Sequence, residues 1–239
     1  MPTAQPISSP RQDRRKARTR ARILDAAEEY FAADPESATI ARIAESADVA
    51  VATVYQHFAG KDDLHLGVVE RALEQNERQM LTVYNSEQAP VPKLIDAAGA
   101  YLRFYLESPH LFRVIALRQG VVTEESVDSP VAVMMAERVE RMNEALVGVL
   151  AAGVADGSLR KLVPLDTARF LWGALNGVIG LALRPDRLRL SEAEMRAALA
   201  QGVEVLFEGI VGDALRGADH RLLPAVRRSV AAALVSAQE

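Results

Sequence analysis

The sequence predicts an all-α protein made of a small N-terminal group of three helices and a larger C-terminal helical bundle. Apolar residues recur every three or four positions over most of the 239 residues, which is the spacing of one face of a helix. The sequence contains no regular series of alternating strands and no repeat of a helical solenoid. We expect residues 1–18 to form a disordered basic arm, 19–64 the three-helix domain and 65–239 the bundle.

The composition is that of an ordinary globular protein and excludes several kinds of site. Hydrophobic residues make up 49% of the chain and charged residues 25%. The absence of cysteine excludes disulfides and thiolate metal sites. The N-terminus has no apolar signal segment, and the longest mostly apolar run, Phe170 to Leu183, is only 14 residues long. We therefore expect a cytoplasmic protein without a membrane partner, a cofactor or a metal.

The first predicted helix runs from Thr19 to Ala33 and has a structural role. Ile23, Ala27 and Phe31 form its apolar stripe at helical spacing. Asp34-Pro35 follows, and the residue before a proline disfavours the helical backbone. This helix is expected to hold the next two helices at a fixed angle.

Two short helices around a tight turn are predicted between Thr39 and Phe58. Thr39 is a suitable N-cap for the first of them, and Asp48 tolerates the left-handed backbone that such a turn requires. The second short helix spans about Val51 to His57. We expect its packed side to hold Val51, Val54 and Phe58, and its open side to hold Thr53, Gln56 and His57. Two helices joined in this way are typical of a helix-turn-helix, whose second helix enters the DNA major groove.

The remaining helices are predicted from their caps, prolines and apolar periods. Lys61 begins a long helix that ends near Tyr84, and a helix from Lys93 to Glu107 follows Pro92. The later helices are expected at 108–117, from Pro130 to Asp156, from a capping Asp166 to Leu183, from the capping box of Ser191 and Glu194 to about Leu215, and at 222–235.

Positive charge is concentrated before the three-helix domain. The net charge is −4, but residues 11–22 contain seven basic groups and one acid, whereas residues 23–64 contain two basic groups and nine acids. Contact with DNA phosphates would therefore depend on the basic arm, on Lys61 and on helix N-termini.

Residues 22–64 resemble the DNA-binding domain of the TetR family of transcriptional regulators. The matching segments are RILDAAEEYF (22–31), TIARIAESADV (39–49), TVYQHF (53–58) and KDDL (61–64). Two positions depart from the pattern, since Asp48 stands where the family usually has Gly and Ala50 where it usually has a capping Ser. The resemblance implies an all-α fold in which an N-terminal three-helix helix-turn-helix DNA-binding domain is joined to a C-terminal helical bundle for ligand binding and dimerisation.

The candidate DNA-binding residues have three different roles. Thr53, Gln56 and His57 can reach base edges, and Val51 and Ala52 can lie against thymine methyl groups. The resemblance implies phosphate contacts for Thr39, Tyr55 and Lys61. The basic arm adds Arg15, Lys16 and Arg18, which are expected to contact phosphate or the minor groove.

The bundle is expected to hold both an effector site and a dimer interface. By resemblance, the helices near 166–183 and 191–215 form a four-helix interface with a second copy, and the glycines at 173, 177 and 180 would allow close approach. The effector is expected to be a small molecule, and the clustered methionines suit a bulky hydrophobic one. Its candidate site residues are Tyr101, Phe104, Tyr105, Phe112, Met134, Met135, Met142, Trp172 and Asn176.

The sequence thus predicts a ligand-responsive repressor that binds a palindromic operator as a homodimer. An enzyme is not expected, because the four histidines are scattered and no metalloprotease, nucleophile-elbow or phosphate-loop motif is present. The alternative is a helical adaptor that has lost DNA binding. It is suggested by the acidic three-helix domain and by Ala50 at a position where a capping Ser is usual. The 222–235 helix could cover the dimer interface or cap the bundle.

Overall fold

The computed structural model describes residues 9–33, 37–107, 109, 112, 130–184 and 186–235, and within them it confirms an all-α fold. Nine α-helices and one 3-10 helix occur in these residues, together with two isolated bridges that pair Leu159 with Val211 and Arg216 with Leu222. The α-helices are α1 (Pro10–Ala33), α2 (Ile40–Ser46), α3 (Val51–His57), α4 (Lys61–Tyr84), α5 (Pro90–Glu107), α6 (Pro130–Ala155), α7 (Pro164–Ala182), α8 (Glu192–Ile210) and α9 (Pro224–Val235).

The chain divides into two compact units, Met1–Arg71 and Ala72–Glu239. The division falls inside α4. The single helix α4 therefore contributes residues to both units.

The first unit is built from α1, α2, α3 and the beginning of α4. Helix α2 packs against both α1 and α3. Ile23, Ile43, Val54 and Leu64, one from each helix, are fully buried. Burial of such side chains stabilises the fold by about 1.5–3 kcal/mol each, so these four positions fix the orientation of α3.

Helix α1 begins at Pro10, so the predicted start at Thr19 was wrong. Residues 10–18 of the expected disordered arm form the first turns of this 24-residue helix. Proline suits the first position of a helix, and Arg, Lys and Gln are good helix formers, which explains why a segment without an apolar stripe continues the helix. Residues 1–8 of the predicted arm lie outside the described residues.

The second unit is a helical bundle. Helix α5 packs against α6 and α9, and α7 packs against α6 and α8. Leu150, Ile179 and Met195, on α6, α7 and α8, are completely buried. This core keeps the helices of the bundle close to one another.

Local signals placed most helix ends correctly, with three corrections. Ser191 and Glu194 form the predicted capping box, and Gly157 follows α6 with a φ of 79°. Asp166 is not the cap of α7, because the helix begins at Pro164 and Asp166 lies in its first turn. Helix α8 ends at Ile210 and not near Leu215, because residues 213–215 form the separate 3-10 helix. Helix α5 begins two residues before Pro92, at Pro90.

Helix α9 docks on α5 through a close backbone contact. A Cβ atom placed on Gly99 would lie only 2.7 Å from the carbonyl oxygen of Ala233. Such a distance is too short for any side chain, so glycine is required for this contact. The helix also packs against α8. The structure therefore favours the bundle-capping alternative for the last predicted helix.

Some of the predicted elements fall on residues that the structure does not describe. The predicted helix at 108–117 lies outside the described residues except for Pro109 and Phe112. The predicted cap Ser129 and the stop at Asp34-Pro35 also lie outside them. Among the described helices, none is both long and apolar enough to span a bilayer.

Candidate nucleic-acid interface and internal cavity

The turn between α2 and α3 is held from both sides. The Thr39 hydroxyl accepts a hydrogen bond from the backbone N–H of Arg42 at 3.3 Å, which confirms the predicted N-cap. Asp48 has a φ of 49°, the left-handed conformation expected at the turn. Arg22 on α1 donates to the carbonyl oxygens of Ala47 at 2.5 Å and of Asp48 at 3.1 Å, and to the Asp48 carboxylate at 3.0 Å. Arg22 therefore fixes the turn, a role that charge counting could not reveal.

Helix α3 presents an exposed face above a buried one. Val54 and the following Phe58 are buried, whereas Tyr55 is 57% exposed and Ala52 and Gln56 are also exposed. The prediction that Val51 is packed was wrong, because its side chain is 42% exposed at the open start of the helix. Ala50, the N-cap residue, makes no side-chain capping bond, as expected for alanine.

Thr53 and His57 lie at the edge of the exposed face and are half-buried. Burial lowers the pKa of His57, and the positive charges of Lys16 and Arg20 on α1 lower it further. The His57 ring is therefore neutral near pH 7 in the free protein. The same charges show that the basic side of α1 lies beside the end of α3.

A basic groove connects α1 with α3. Side chains from α1 line one wall, and Asp48, Val49 and Thr53 line the other. The α1 residues of this groove are Arg11, Arg14, Arg15, Arg18, Thr19 and Arg22. Of the predicted arm residues, Arg15 and Arg18 line the groove, and Lys16 is exposed beside His57. The structure thus brings the basic segment next to the turn and to the third residue of α3.

Lys61 and Thr39 begin two helices of the same unit. Lys61 is the first residue of α4 and is half-buried, and Asp62 and Asp63 occupy the same first turn. The Asp63 carboxylate accepts a hydrogen bond from the N–H of Ala59 at 2.7 Å, which closes the turn after α3. Thr39 is exposed, and a hydroxyl that accepts a capping bond can still donate one.

The second unit encloses a largely apolar cavity of 120 Å³. One water molecule needs roughly 10–15 Å³ on this measure, so the cavity has room for a small ligand or several waters. Its described walls come from α4, α5, α6, α7 and α8 together with Phe112, and they contain no Asp, Glu, Lys, Arg or His. Tyr101 and Phe112 meet edge to face, with their ring centroids 5.9 Å apart.

Most of the predicted effector residues line this cavity. Tyr101, Phe104, Phe112, Met142, Trp172 and Asn176 are among its lining residues. Tyr105, Met134 and Met135 are not. The Tyr105 ring instead packs against Phe112, with the ring centroids 5.6 Å apart. The Met134 sulfur accepts a hydrogen bond from Arg138 Nε.

The α4 wall of the cavity was missed by sequence reasoning. Leu73, Asn76, Met80 and Tyr84 repeat at helical spacing on α4, and all four line the cavity. The signal was present, because Asn76 interrupts the apolar face of this helix. A buried polar residue on such a face calls for a partner.

Two polar groups of the cavity wall bond to each other. The Tyr101 hydroxyl donates to Asn176 Oδ1 at 2.9 Å, and Asn176 Nδ2 donates to the Trp172 carbonyl oxygen at 2.8 Å. Burial raises the pKa of Tyr101 well above its usual value, so this hydroxyl remains protonated.

A buried carboxylate joins α4 to α6 beside the cavity. Glu77 accepts a hydrogen bond from Arg138 at 2.5 Å and one from Arg141 at 2.6 Å. The bond from Arg141 lowers the pKa of Glu77, and Arg138 adds to the effect against the opposing influence of burial. Glu77 is therefore ionised at neutral pH.

Helices α7 and α8 carry an apolar surface with little side-chain cover. Phe170 is 63% exposed and Val205 is 60% exposed. A Cβ atom added to any glycine of these two helices would meet no described atom within 4 Å; these glycines are Gly173, Gly177, Gly180, Gly202 and Gly209. Exposed large apolar residues grouped around open glycines are typical of an interaction surface.

Comparisons with known proteins identify both parts of the chain. The family described as bacterial regulatory proteins of the tetR family matches residues 23–68, and the family described as the tetracyclin repressor-like C-terminal domain matches residues 94–206. No curated protein sequence matches the chain.

Solved structures of similar fold cover most of the chain. A gamma-butyrolactone receptor described as ArpA-like is 19% identical with a TM-score of 0.61, and the match covers 93% of this chain and 99% of that one. A transcriptional regulator from Saccharomonospora viridis in complex with choline is 18% identical with a TM-score of 0.65, covering 82% and 98%. SmeT, the repressor of a multidrug efflux pump of Stenotrophomonas maltophilia, is 22% identical with a TM-score of 0.60, covering 81% and 91%.

The two family matches together span more than half of the sequence; the first contains the helix-turn-helix, and the second contains α6, α7 and most of α5 and α8. The chain therefore belongs to the TetR family of bacterial transcriptional regulators.

Proposed function

We propose that this protein is a ligand-responsive repressor that binds a near-palindromic operator as a homodimer. The observation that carries the proposal is the arrangement of α3, in which Tyr55 and Gln56 are exposed while Val54 and Phe58 anchor the helix in the core. A helix held in this way can lie in the major groove without unfolding. This exposed face gives no support to the helical adaptor alternative.

Base recognition would come from a small number of side chains. A seven-residue helix is about 10 Å long and presents three or four side chains to base edges. Gln56 can bond adenine through two hydrogen bonds, and Thr53, Val51 and Ala52 can contact thymine methyl groups. His57 lies at the end of the helix, where it can donate to a base or a phosphate.

Phosphate contacts would position this helix. The basic groove supplies Arg15 and Arg18, and Lys16 lies beside it. The Thr39 hydroxyl and the Lys61 ammonium group would add contacts at the starts of α2 and α4. The Tyr55 phenol would add one from the exposed face of α3. Because α1 is helical from Pro10, these arginines are held in place and lose less entropy on binding than a disordered arm would.

The exposed surface of α7 and α8 would form the dimer interface. Phe170 and Val205 supply apolar area, and the open glycines allow helices of a second copy to approach closely. A single short recognition helix buries too little surface for tight specific binding, so two copies on a near-palindromic site are expected.

The cavity would be the effector site. Helix α4 lines it and also begins with Lys61 in the DNA-binding unit. A bound molecule would release the operator only if it binds the released conformation more tightly than the DNA-bound one. The efflux-pump repressor and the lactone receptor with a similar fold support a regulator of this class.

Selection of bound duplexes from a random DNA pool tests the proposal. We expect the full-length protein to enrich a near-palindrome, and Gln56→Ala to relax the preference at one position of each half-site. Enrichment of no sequence, or binding without any dependence on salt, would contradict the proposal.

Sedimentation analysis of the same preparations tests the interface. Phe170→Asp should convert the dimer to a monomer, because it would place a charge in an apolar contact. Leu188→Asp is the matched control, since Leu188 is also exposed but lies in the loop that connects α7 to α8. A wild-type monomer, or a Phe170→Asp dimer, would contradict this assignment.

A further inference from the structure

One buried polar atom in the cavity wall lacks a partner. Asn76 lines the cavity and is only 4% exposed. Its Nδ2 atom donates to the Met142 sulfur at 3.8 Å, whereas its Oδ1 atom has no hydrogen-bond partner among the described residues. A thioether accepts hydrogen bonds but cannot donate them, so the amide nitrogen must face Met142 and the oxygen must be satisfied elsewhere.

Leaving this oxygen without a donor would be costly. A buried acceptor without a partner destabilises a protein, because it loses its hydrogen bonds to water and gains none in return. Among the described cavity-lining side chains, Asn76 is the only one with a fully buried N or O atom that lacks a partner. Tyr101 and Asn176 differ from it, because they bond to each other and to the Trp172 carbonyl. This oxygen lies directly beneath the cavity wall with less than 1 Å² of accessible surface, so a guest molecule can donate to it once the side chain that covers it moves aside.

The walls also restrict the charge of the guest. They contain no ionisable acid or base among the described residues apart from tyrosine hydroxyls. An ion moved from water into such a site loses its hydration without gaining an opposite charge, and this cost exceeds any single hydrogen bond. The aromatic side chains could instead attract a quaternary ammonium ion through their ring faces, and this is the main competing class.

We propose that the effector is an uncharged, largely apolar molecule with one hydroxyl or N–H group, and that Asn76 Oδ1 accepts its hydrogen. The proposal rests on the function proposed above, since it names the ligand of the same cavity. A hydroxyl or N–H group can donate a hydrogen bond to this oxygen, whereas an ether cannot.

The position of Asn76 gives this bond a regulatory meaning. Asn76 lies on α4, and its neighbour Glu77 holds α4 to α6 through Arg138 and Arg141. A guest bonded to Asn76 would act directly on the helix that begins at Lys61. The hydrogen bond would therefore contribute both to affinity and to the choice between two positions of α4.

Calorimetric titration of the full-length protein with isomeric pairs tests the proposal. The probes are primary alcohols from hexanol to dodecanol, each paired with the methyl ether of the same formula, which has the same atoms but no donor. For the chain length that binds most tightly, we expect the alcohol to bind roughly tenfold more tightly than the ether, the effect of one buried hydrogen bond. Octanoate and octyltrimethylammonium should bind at least tenfold more weakly than octanol.

Two variants assign the preference to Asn76. Asn76→Leu keeps the side-chain shape without the acceptor, and it should bring the alcohol and the ether to equal affinity. Asn85→Leu makes the same replacement at an exposed position outside the cavity and should keep the preference. The wild-type comparison remains decisive if Asn76→Leu does not fold.

The outcomes separate this proposal from the function on which it rests. Equal affinity of the wild-type protein for both isomers, binding of neither, or tightest binding of either ion would overturn the assignment of Asn76. Operator binding by the ligand-free protein is measured in the same samples. Its presence would leave the repressor function standing when the ligand assignment fails, and its absence would refute that function.

Discussion

Replacement of Glu77 by glutamine tests how strongly the buried carboxylate holds α4 to α6. Glu77 is 7% exposed and accepts from Arg138 and Arg141. Glutamine has almost the same shape but no charge, and its amide nitrogen cannot accept from an arginine. The change therefore removes the ion pair without creating a cavity.

The expected loss follows from the exposure of the three side chains. Removing one partner of a buried ion pair costs about 3–5 kcal/mol, because the other charge stays buried and unpaired. The Arg138 side chain is 17% exposed and remains buried, whereas the Arg141 side chain is 48% exposed and regains water. We therefore expect a loss of about 2 kcal/mol in the free energy of unfolding, below the fully buried case.

The single tryptophan makes the measurement specific to the second unit. Trp172 lines the cavity, so its fluorescence during urea unfolding reports on this bundle alone. The pKa of Glu77 is lowered in the folded state, so its contribution is complete above the ordinary value of 4.5 and is lost as the pH falls through the lowered pKa. The difference between wild type and Glu77→Gln should be full at pH 7 and should shrink below pH 4.5.

Arg78→Gln is a suitable control, because the Arg78 side chain forms an exposed pair with Glu74 on the same helix. Such pairs contribute roughly 0.3–0.5 kcal/mol. A Glu77→Gln loss as small as that of the control, or one that does not change with pH, would show that the carboxylate does not hold α4 to α6.

Three further predictions concern the first unit. Lys61→Ala should weaken DNA binding for every sequence and flatten the salt dependence by roughly one unit per subunit, as measured by titration at several salt concentrations; an unchanged slope would remove Lys61 from the phosphate contacts. The pKa of His57 is lowered in the free protein, and a DNA phosphate would raise it, so operator affinity should increase from pH 8 to pH 6. His57→Gln should abolish that increase. Equal pH dependence in both proteins would exclude His57 from the phosphate contacts. Arg22→Met removes three hydrogen bonds to the α2–α3 turn, so amide hydrogen exchange in residues 39–58 should become roughly fivefold faster. Unchanged exchange rates would show that the turn is stable without Arg22.

Signals that act within a few residues were read correctly from the sequence. The Thr39 cap, the left-handed Asp48, the capping box of Ser191 and the start of α4 at Lys61 all depend on neighbouring backbone groups. The start of α1 was missed for a related reason. The stretch before Thr19 is a good helix former, but its side chains are exposed and form no apolar stripe.

Contacts between distant residues could not be predicted in the same way. Arg22 was counted among the seven basic groups of residues 11–22, yet its hydrogen bonds go to the turn about 25 residues later. The aromatic composition of the bundle indicated a cavity, but only the packing of five helices distinguishes Tyr101, which lines it, from Tyr105, which does not. The buried oxygen of Asn76 becomes visible only when its partners are known.

Substitution of Gly99 can change the packing of the last helix, because this residue lies in close contact with Ala233. A Gly99→Ala exchange adds a methyl carbon that would lie only 2.7 Å from the carbonyl oxygen of Ala233, so α9 must shift away from α5 while its own sequence stays unchanged. Such a variant weakens the packing of α9 on α5 without shortening the polypeptide. It would separate the contribution of α9 to the stability of the bundle from any requirement for the C-terminal residues themselves.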